Sequence, residues 1–224
     1  MTPSRSLTGG SRFPTLRRLA ALALLAPLGA CALASVGDGP APQLFTLTAA
    51  HPAPPSAGKE TKRAQIEVDE FAAPAALDTT RIVQQASANE LKYYADARWA
   101  DRAPHLIQNL MVESLENSGR FASVASHGAD LRGDYDLVGD IRQFAVDASN
   151  PAGLTVRIVL YARLVREDER TIIAAKSFET DVPVTGSGIA AIVTAYDTGL
   201  RQTLDGIAVW TAENAHGAAT TAAN

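Results

Sequence analysis

Apolar residues recur at every second position through most of the chain and at every third or fourth position in two segments. The first period predicts half-buried strands, and the second predicts amphipathic helices. The strand period covers 65–71, 81–85, 90–94, 121–124 and three longer segments between 135 and 182. The chain is therefore expected to form mostly sheet with two helices.

Both helical segments carry recognisable ends. The first begins at Pro104 and is followed by Gly119, a residue typical of helix C-termini. The second covers 189–207, with Ser187 as its expected N-cap. The apolar faces consist of Leu106, Ile107, Leu110, Met111 and Leu115 in the first helix, and of Ile189, Ile192, Val193, Tyr196, Leu200, Leu204 and Ile207 in the second.

The three longest strand segments are consecutive and joined by short turns at 150–153 and 166–170. Strands connected in this way form an antiparallel meander. In the first of them the apolar phase shifts after Ile141, which predicts a bulge near Arg142 and Gln143. Grouped strands with two helices to cover one face predict an α+β fold, a two-layer sandwich of a mainly antiparallel sheet covered by two helices.

The N-terminus has the pattern of a lipoprotein signal peptide over 1–30. Four arginines and no acid precede a short Leu/Ala run at 19–28 that is too short to span a bilayer as a helix. The run ends in Leu28, Gly29, Ala30 and Cys31, and the small residues before the cysteine fit a lipobox. A buried cysteine in an apolar helix of the mature domain is the alternative, and the arginines argue against it.

Cys31 is the only cysteine and is the predicted lipidation site. Each buried acyl methylene contributes about 0.8 kcal/mol, so an acylated Cys31 would hold the chain at a membrane without a transmembrane helix. Ala32 follows where an inner-membrane lipoprotein tends to have Asp, which favours the periplasmic face of the outer membrane.

The remaining chain divides by composition. Residues 31–64 are rich in Pro, Ala, Gly and Ser and predict a tether, inside which 44–48 alternates and favours a short strand. The folded domain is predicted over 65–213. Residues 214–224 lack an apolar period and predict a disordered tail.

Charge excludes several classes of partner. The formal charge of the chain is −4, and it falls to −8 without the first thirty residues, which hold four of the twenty basic residues and none of the acids. An acidic body is a poor candidate for binding nucleic acid, or anionic lipid by charge alone.

No set of residues assembles a catalytic site. The four histidines, at 51, 105, 127 and 216, do not pair at metal-ligand spacing. The Gly186 to Gly188 segment lacks the pattern of a nucleophile elbow or a phosphate loop and is interpreted as a helix cap. Asp134, Asp136 and Asp140 could do acid–base work, but a solvated strand face is favoured. The sequence therefore predicts no enzyme, no metal site and no cofactor.

The segment Tyr93 to Asp101 concentrates three large aromatics, a cation and two acids. Aromatic and Arg side chains in a connecting segment are typical of binding anchors. Tyr94, Arg98 and Trp99 are therefore the predicted partner-binding residues. The alternative for Trp99 is that its indole fills the core.

The chain resembles the ABC-type transport auxiliary lipoprotein family over about Gln43 to Trp210. The most specific block is Arg98 to Ala100. Asp101 and Ala103 stand where the family often has Glu and Pro. The other residues that carry the resemblance are Arg81 to Val83, Glu90 to Tyr94, Pro104, Leu115, Ser118 to Phe121, Val124, Tyr135 to Leu137, Gly139, Phe144 and Trp210.

The resemblance implies a non-catalytic lipoprotein anchored in the outer membrane. Its implied partners are a substrate-binding protein with a mammalian-cell-entry domain and the permease and ATPase of an ABC transporter that moves lipid across the envelope. Association into a homo-oligomer is left open. The alternative function is a scaffold or activator of another envelope machine, such as a cell-wall synthase.

Overall fold

The structure is a computed structural model that describes residues 41–54, 64–128 and 133–215. The predicted signal peptide, the lipidation site Cys31 and residues 216–224 of the predicted tail lie outside the described residues. No helix in the described part of the chain is long and apolar enough to cross a membrane.

The described residues form eight strands and two helices, as the apolar periods predict. The strands are β1 (Gln43–Phe45), β2 (Gln65–Val68), β3 (Arg81–Ser87), β4 (Glu90–Trp99), β5 (Ser123–Ser126), β6 (Tyr135–Asp147), β7 (Thr155–Arg166) and β8 (Thr171–Pro183). The helices are α1 (Ala103–Asn117) and α2 (Gly188–Asn214).

All eight strands belong to one curled sheet in which β6 is the branching point. β7 pairs with β6 along its length and with β8 on the other side, which confirms the antiparallel meander. On its second edge β6 pairs with β2 near Tyr135–Leu137 and with β3 near Val146–Asp147. β5 continues the sheet beyond β2, and β4 and then β1 continue it beyond β3.

The α+β class is confirmed, but the sheet is mixed. The β3–β4, β6–β7 and β7–β8 pairs are antiparallel, whereas β1–β4, β2–β5, β2–β6 and β3–β6 are parallel. Parallel neighbours need long connections, and the short strands at the start of the chain reach their partners through such connections. Sequence alternation shows each strand but not its direction, so the predicted two-layer sandwich of a mainly antiparallel sheet is refined to a curled mixed sheet with two helices.

The predicted β-bulge lies in β6. Ile141 pairs with Leu160 and Gln143 with Val159, so Arg142 is the additional residue. Gly139, three residues before Arg142 on the same strand, allows other groups to approach the backbone closely. A Cβ at Gly139 would lie 2.3 Å from the carbonyl oxygen of Tyr161 and 2.5 Å from the ring of Phe71.

Both helices contact each other and pack on the sheet, α1 against β2 and β5 and α2 against β7 and β8. Gly119 has a φ of +60°, in agreement with the predicted helix end. Ser187 is the N-cap residue of α2 as predicted, but its side chain makes no capping hydrogen bond.

Part of the predicted tether belongs to the folded unit. Leu47, Ala49 and Ala50 are buried. The backbone N–H of Ala50 donates to Ser114 Oγ at 2.9 Å, and the N–H of Thr48 donates to Asp197 at 2.7 Å. The strand expected at 44–48 is present only at its start, where β1 ends at Phe45. Residues 41–54 therefore lie on the body, and the folded domain begins well before 65.

Candidate partner-binding surface

The three predicted partner-binding residues lie on one strand. β4 continues to Trp99, so the segment Tyr93 to Trp99 is sheet rather than a connection. Along a strand, neighbouring side chains point to opposite faces. At the end of β4, Trp99 is buried and Arg98 is partly exposed on the outer face.

Trp99 occupies the core, which is the alternative considered for it. Its exposed fraction is 1%. Its ring centroid lies 5.8 Å from that of Phe144 and 5.0 Å from that of Tyr196. An indole in this position fills the layer between sheet and α2, so its side chain does not reach a partner from this conformation.

A large irregular bulge in β4 separates Arg98 and Trp99 from the regular part of the β3–β4 hairpin. Val83 pairs with Tyr93, and Arg81 pairs with Arg98. Between these pairs β4 has four residues and β3 only Ile82. Counting from the Val83–Tyr93 pair without a bulge would place Ala95 opposite Arg81. The bulge brings Arg98 there instead.

Tyr94 lies in this bulge and is half-buried against the core. Burial raises the pKa of the Tyr94 phenol. Burial is also the main cause that raises the pKa of Tyr196 far above the ordinary value, and the nearby Tyr94 adds to it. Both phenols are neutral at physiological pH. Tyr94 thus offers a partly exposed, uncharged aromatic edge.

The outer face carries a row of side chains across three strands. Leu44 of β1 pairs with Arg98 of β4, which pairs with Arg81 of β3. The Leu44 side chain is 67% exposed. Partners directly opposite each other share a face, so an apolar side chain and two guanidinium groups lie next to one another. We call Leu44, Arg81, Tyr93 and Arg98 the arginine row.

Tyr93 holds the Arg81 end of the row in place. The Arg81 guanidinium carbon lies 3.6 Å from the centroid of the Tyr93 ring. The Tyr93 hydroxyl donates to the carbonyl of Ala76 at 3.3 Å. In the part of the chain that the structure describes, neither Arg81 nor Arg98 forms a salt bridge. Two like charges opposite each other are unfavourable, and an anionic partner group would relieve their repulsion.

Leu44 and Arg81 were not among the predicted binding residues. Each stands in a segment that alternates as an ordinary strand, and no local signal distinguishes it. Only the parallel β1–β4 pair and the bulge in β4 bring them beside Arg98.

The three strand aspartates do not form one site. Asp134 Oδ2 accepts from the backbone N–H of Gln65 at 2.9 Å, and Asp140 pairs with Arg163 at 3.0 Å. Asp136 lies near Glu67, and its pKa is raised, first by burial and then by neighbouring carboxylates. The solvated-face interpretation agrees with their partial exposure.

The described histidines are also separate from one another. His105 hydrogen-bonds Asp101, and this bond is the main cause that lowers the pKa of the Asp101 carboxyl. His127 Nδ1 lies 3.0 Å from Glu67 and 3.1 Å from Asp69. Among residues 41–54, 64–128 and 133–215, no group of three His, Cys, Asp or Glu side chains could hold a metal ion.

The match to a known protein family covers most of this fold. The family model for the ABC-type transport auxiliary lipoprotein component matches residues 45–208, from β1 into the last turns of α2. The chain belongs to this family. The match includes the strand pairs that build the arginine row, except Leu44, which lies one residue before it.

Two solved structures are similar to this auxiliary lipoprotein over most of their length. A Xanthomonas campestris crystal structure is 26% identical with a TM-score of 0.71, covering 77% of this chain and 96% of that chain. Another solved, uncharacterized protein is 17% identical with a TM-score of 0.59, covering 76% of this chain and 99% of that chain, and shows the fold alone.

A curated relative adds a difference in length. An uncharacterized protein from Bradyrhizobium diazoefficiens is 29% identical over 176 residues. The matched region is 78% of this chain and 47% of the relative. The auxiliary lipoprotein thus spans about half the length of this relative.

Proposed function

We propose that this auxiliary lipoprotein is a non-catalytic accessory subunit of an ABC-type system that moves lipid across the cell envelope. Acylated Cys31 anchors it to the periplasmic face of the outer membrane. Its partners are a substrate-binding protein with a mammalian-cell-entry domain and, through it, the transporter permease and ATPase. Family membership over 45–208 carries the proposal.

The arginine row supplies the docking chemistry. Arg98 and Arg81 lack salt-bridge partners in the described residues, Leu44 is exposed, and the Tyr93 ring lies against Arg81. Interface anchors are enriched in Arg and Tyr. A partner segment with a carboxylate against the two guanidinium groups and an apolar side chain against Leu44 would match this surface. Trp99 contributes to docking only indirectly, because its packing in the core fixes the strand that carries Arg98.

The test is site-specific photocrosslinking in cells. A photoreactive residue replaces Leu44 or Arg98 in the full-length chain, and a matched one replaces Ile172, a 55% exposed residue on β8 at another edge of the sheet. We expect the first two positions to trap the mammalian-cell-entry protein or a second copy of this chain, and Ile172 to trap much less.

Two results would count against this proposal. Recovery of peptidoglycan enzymes alone from the Leu44 and Arg98 positions would favour the cell-wall scaffold. Equal recovery of the mammalian-cell-entry protein from Ile172 would remove the arginine row as the docking surface while leaving the partner in place.

A further inference from the structure

A cleft lies beside the turn of the β3–β4 hairpin and adjoins the Tyr93 end of the arginine row, because Ala76 in its wall accepts a hydrogen bond from the Tyr93 hydroxyl. Its walls come from the segment 74–77, from residues 88–91 at the hairpin turn and from the bulge of β6. Its volume is about 410 Å³, within the range of about 300–1,000 Å³ found for small-molecule sites. The cleft is large enough to hold part of a lipid-sized molecule.

Apolar side chains form much of the wall, and two amides form a polar patch. Leu91 is 46% exposed and faces Pro74 and Leu77 in the same cleft. Gln143 Nε2 donates to Gln85 Oε1 at 2.8 Å. The amide group of Gln85 keeps its own N–H donors for another acceptor. The cleft therefore combines an exposed apolar surface with hydrogen-bond donors.

The bulge places a cation at this cleft. Arg142 is the additional residue of β6, and bulges re-aim side chains in this way. The Arg142 guanidinium carbon lies 4.0 Å from the centroid of the Tyr161 ring. Stacking on an aromatic face holds a guanidinium group in place and leaves its in-plane N–H donors available.

Arg163 provides an internal comparison on the same ring. Its guanidinium carbon lies 5.4 Å from the Tyr161 centroid, and its charge is paired with Asp140 at 3.0 Å. Arg142 has no such carboxylate among the described residues. Glu90 also lines the cleft, but it pairs with Lys92 at 3.1 Å. Arg142 is therefore the cation at this cleft whose charge is open to an anion.

We propose that this cleft binds a phospholipid through an anionic phosphate on Arg142 and the Gln85 amide, with the start of an acyl chain along Leu91. This proposal rests on the proposed function only in assuming that the subunit works in lipid transport. A lipid bound in the cleft would give this subunit a lipid site of its own. None of the four residues of the arginine row lines this cleft.

The experiment measures binding of lysophospholipids, below their micelle concentrations, to the chain from residue 31 onward with Cys31→Ser. Calorimetry or native mass spectrometry gives the dissociation constants. We expect lysophosphatidylglycerol, which has a net negative charge, to bind about tenfold or more tightly than zwitterionic lysophosphatidylcholine, because the phosphate is anionic in both lipids but the choline cation of the second is repelled by Arg142. Arg142→Gln should remove this preference, and Leu91→Ser should weaken both lipids about fivefold.

Arg163→Gln and Ile172→Ser are the matched controls, and both should bind lysophosphatidylglycerol within about twofold of the unsubstituted chain. Circular dichroism melting of every variant separates lost binding from lost folding, and Arg142→Lys, which keeps the charge, should retain part of the preference. Equal binding of the two lipids, or an equal loss in Arg142→Gln and Arg163→Gln, would overturn the proposal. Failure here leaves the crosslinking at the arginine row unchanged, so the two proposals fail separately.

Discussion

Trp99 and Tyr196 pack edge to face, with ring centroids 5.0 Å apart and ring planes at 83° to each other. This geometry is favourable for aromatic side chains. It joins β4 to α2, two elements about a hundred residues apart in the chain. The Tyr196 hydroxyl donates to the carbonyl of Val83 at 3.2 Å, so the same tyrosine also holds β3. The core contact fixes the hairpin whose outer face carries the arginine row.

Trp99→Ala should strongly destabilise the chain. Removing a fully buried aromatic side chain costs about 3–5 kcal/mol. Arg98→Ala, one residue earlier on the outer face, should change the free energy of unfolding by about 0.5 kcal/mol or less while weakening crosslinking to the partner. Denaturant unfolding of both variants checks the difference. A small loss of stability for Trp99→Ala would mean that the indole is exposed in solution and is available as an anchor after all.

Gly139→Ala should destabilise the sheet because no Cβ fits there. The new atom would lie 2.3 Å from the Tyr161 carbonyl oxygen, which is backbone and has little room to move. Overpacking of this kind typically costs about 1–3 kcal/mol. Gly206→Ala is the matched control, because its Cβ would meet only the Phe178 ring at 3.4 Å.

In the control, alanine replaces glycine inside α2 and should stabilise the chain by about 0.5–1 kcal/mol. Thermal unfolding should therefore shift in opposite directions for the two variants. If the unfolding temperatures of both variants shifted in the same direction, the backbone around Gly139 would have moved to accommodate the new Cβ.

Local pattern predicted the elements better than their pairing. The alternation around β6 and β7 marks which residues are buried, and the shift of phase at Ile141 locates the bulge, because both depend on the contact of each residue with the core. The parallel β1–β4 pair depends on segments more than fifty residues apart. No local period reports such a pair, so the predicted mainly antiparallel sheet did not include the parallel pairs.

The candidate site was predicted only in part for the same reason. The composition around Arg98 indicated a binding segment, but composition does not say which side chains face outward. The bulge in β4 decides that Arg98 lies opposite Arg81. The tether boundary was misplaced because Pro- and Ala-rich sequence predicts a solvated chain, whereas Leu47 and Ala50 are buried against the body.

Asp136→Asn should stabilise the chain at neutral pH. Burial raises the pKa of the Asp136 carboxyl, Glu67, Glu167 and Asp69 raise it further, and His127 lowers it. The folded state therefore binds this proton more tightly than the unfolded state. As the pH rises from the ordinary pKa of 3.8 through the raised value, Asp136 lowers the free energy of unfolding.

The asparagine variant avoids this loss, so its advantage should be absent below the ordinary pKa and complete at pH 7. Unfolding free energies from pH 3 to 8 measure it. Glu116→Gln, on the exposed side of α1, is the control for the change of carboxylate to amide. An advantage of Asp136→Asn that is equal at pH 3 and pH 7 would have a cause other than the charge.

Cys31→Ser should release the chain from the membrane. The proposed anchor is a set of acyl chains on Cys31, which is the only cysteine, and each buried methylene contributes about 0.8 kcal/mol. The described helices offer no membrane-crossing alternative. Cell fractionation at high salt, which removes proteins held by charge, should place the unsubstituted chain with the outer membrane and the serine variant in the soluble fraction. Ala32→Asp keeps the cysteine and should shift the chain toward the inner membrane, so it separates the anchor from the sorting signal. A serine variant that still sediments with the outer membrane would show that acylation is not what holds the chain there.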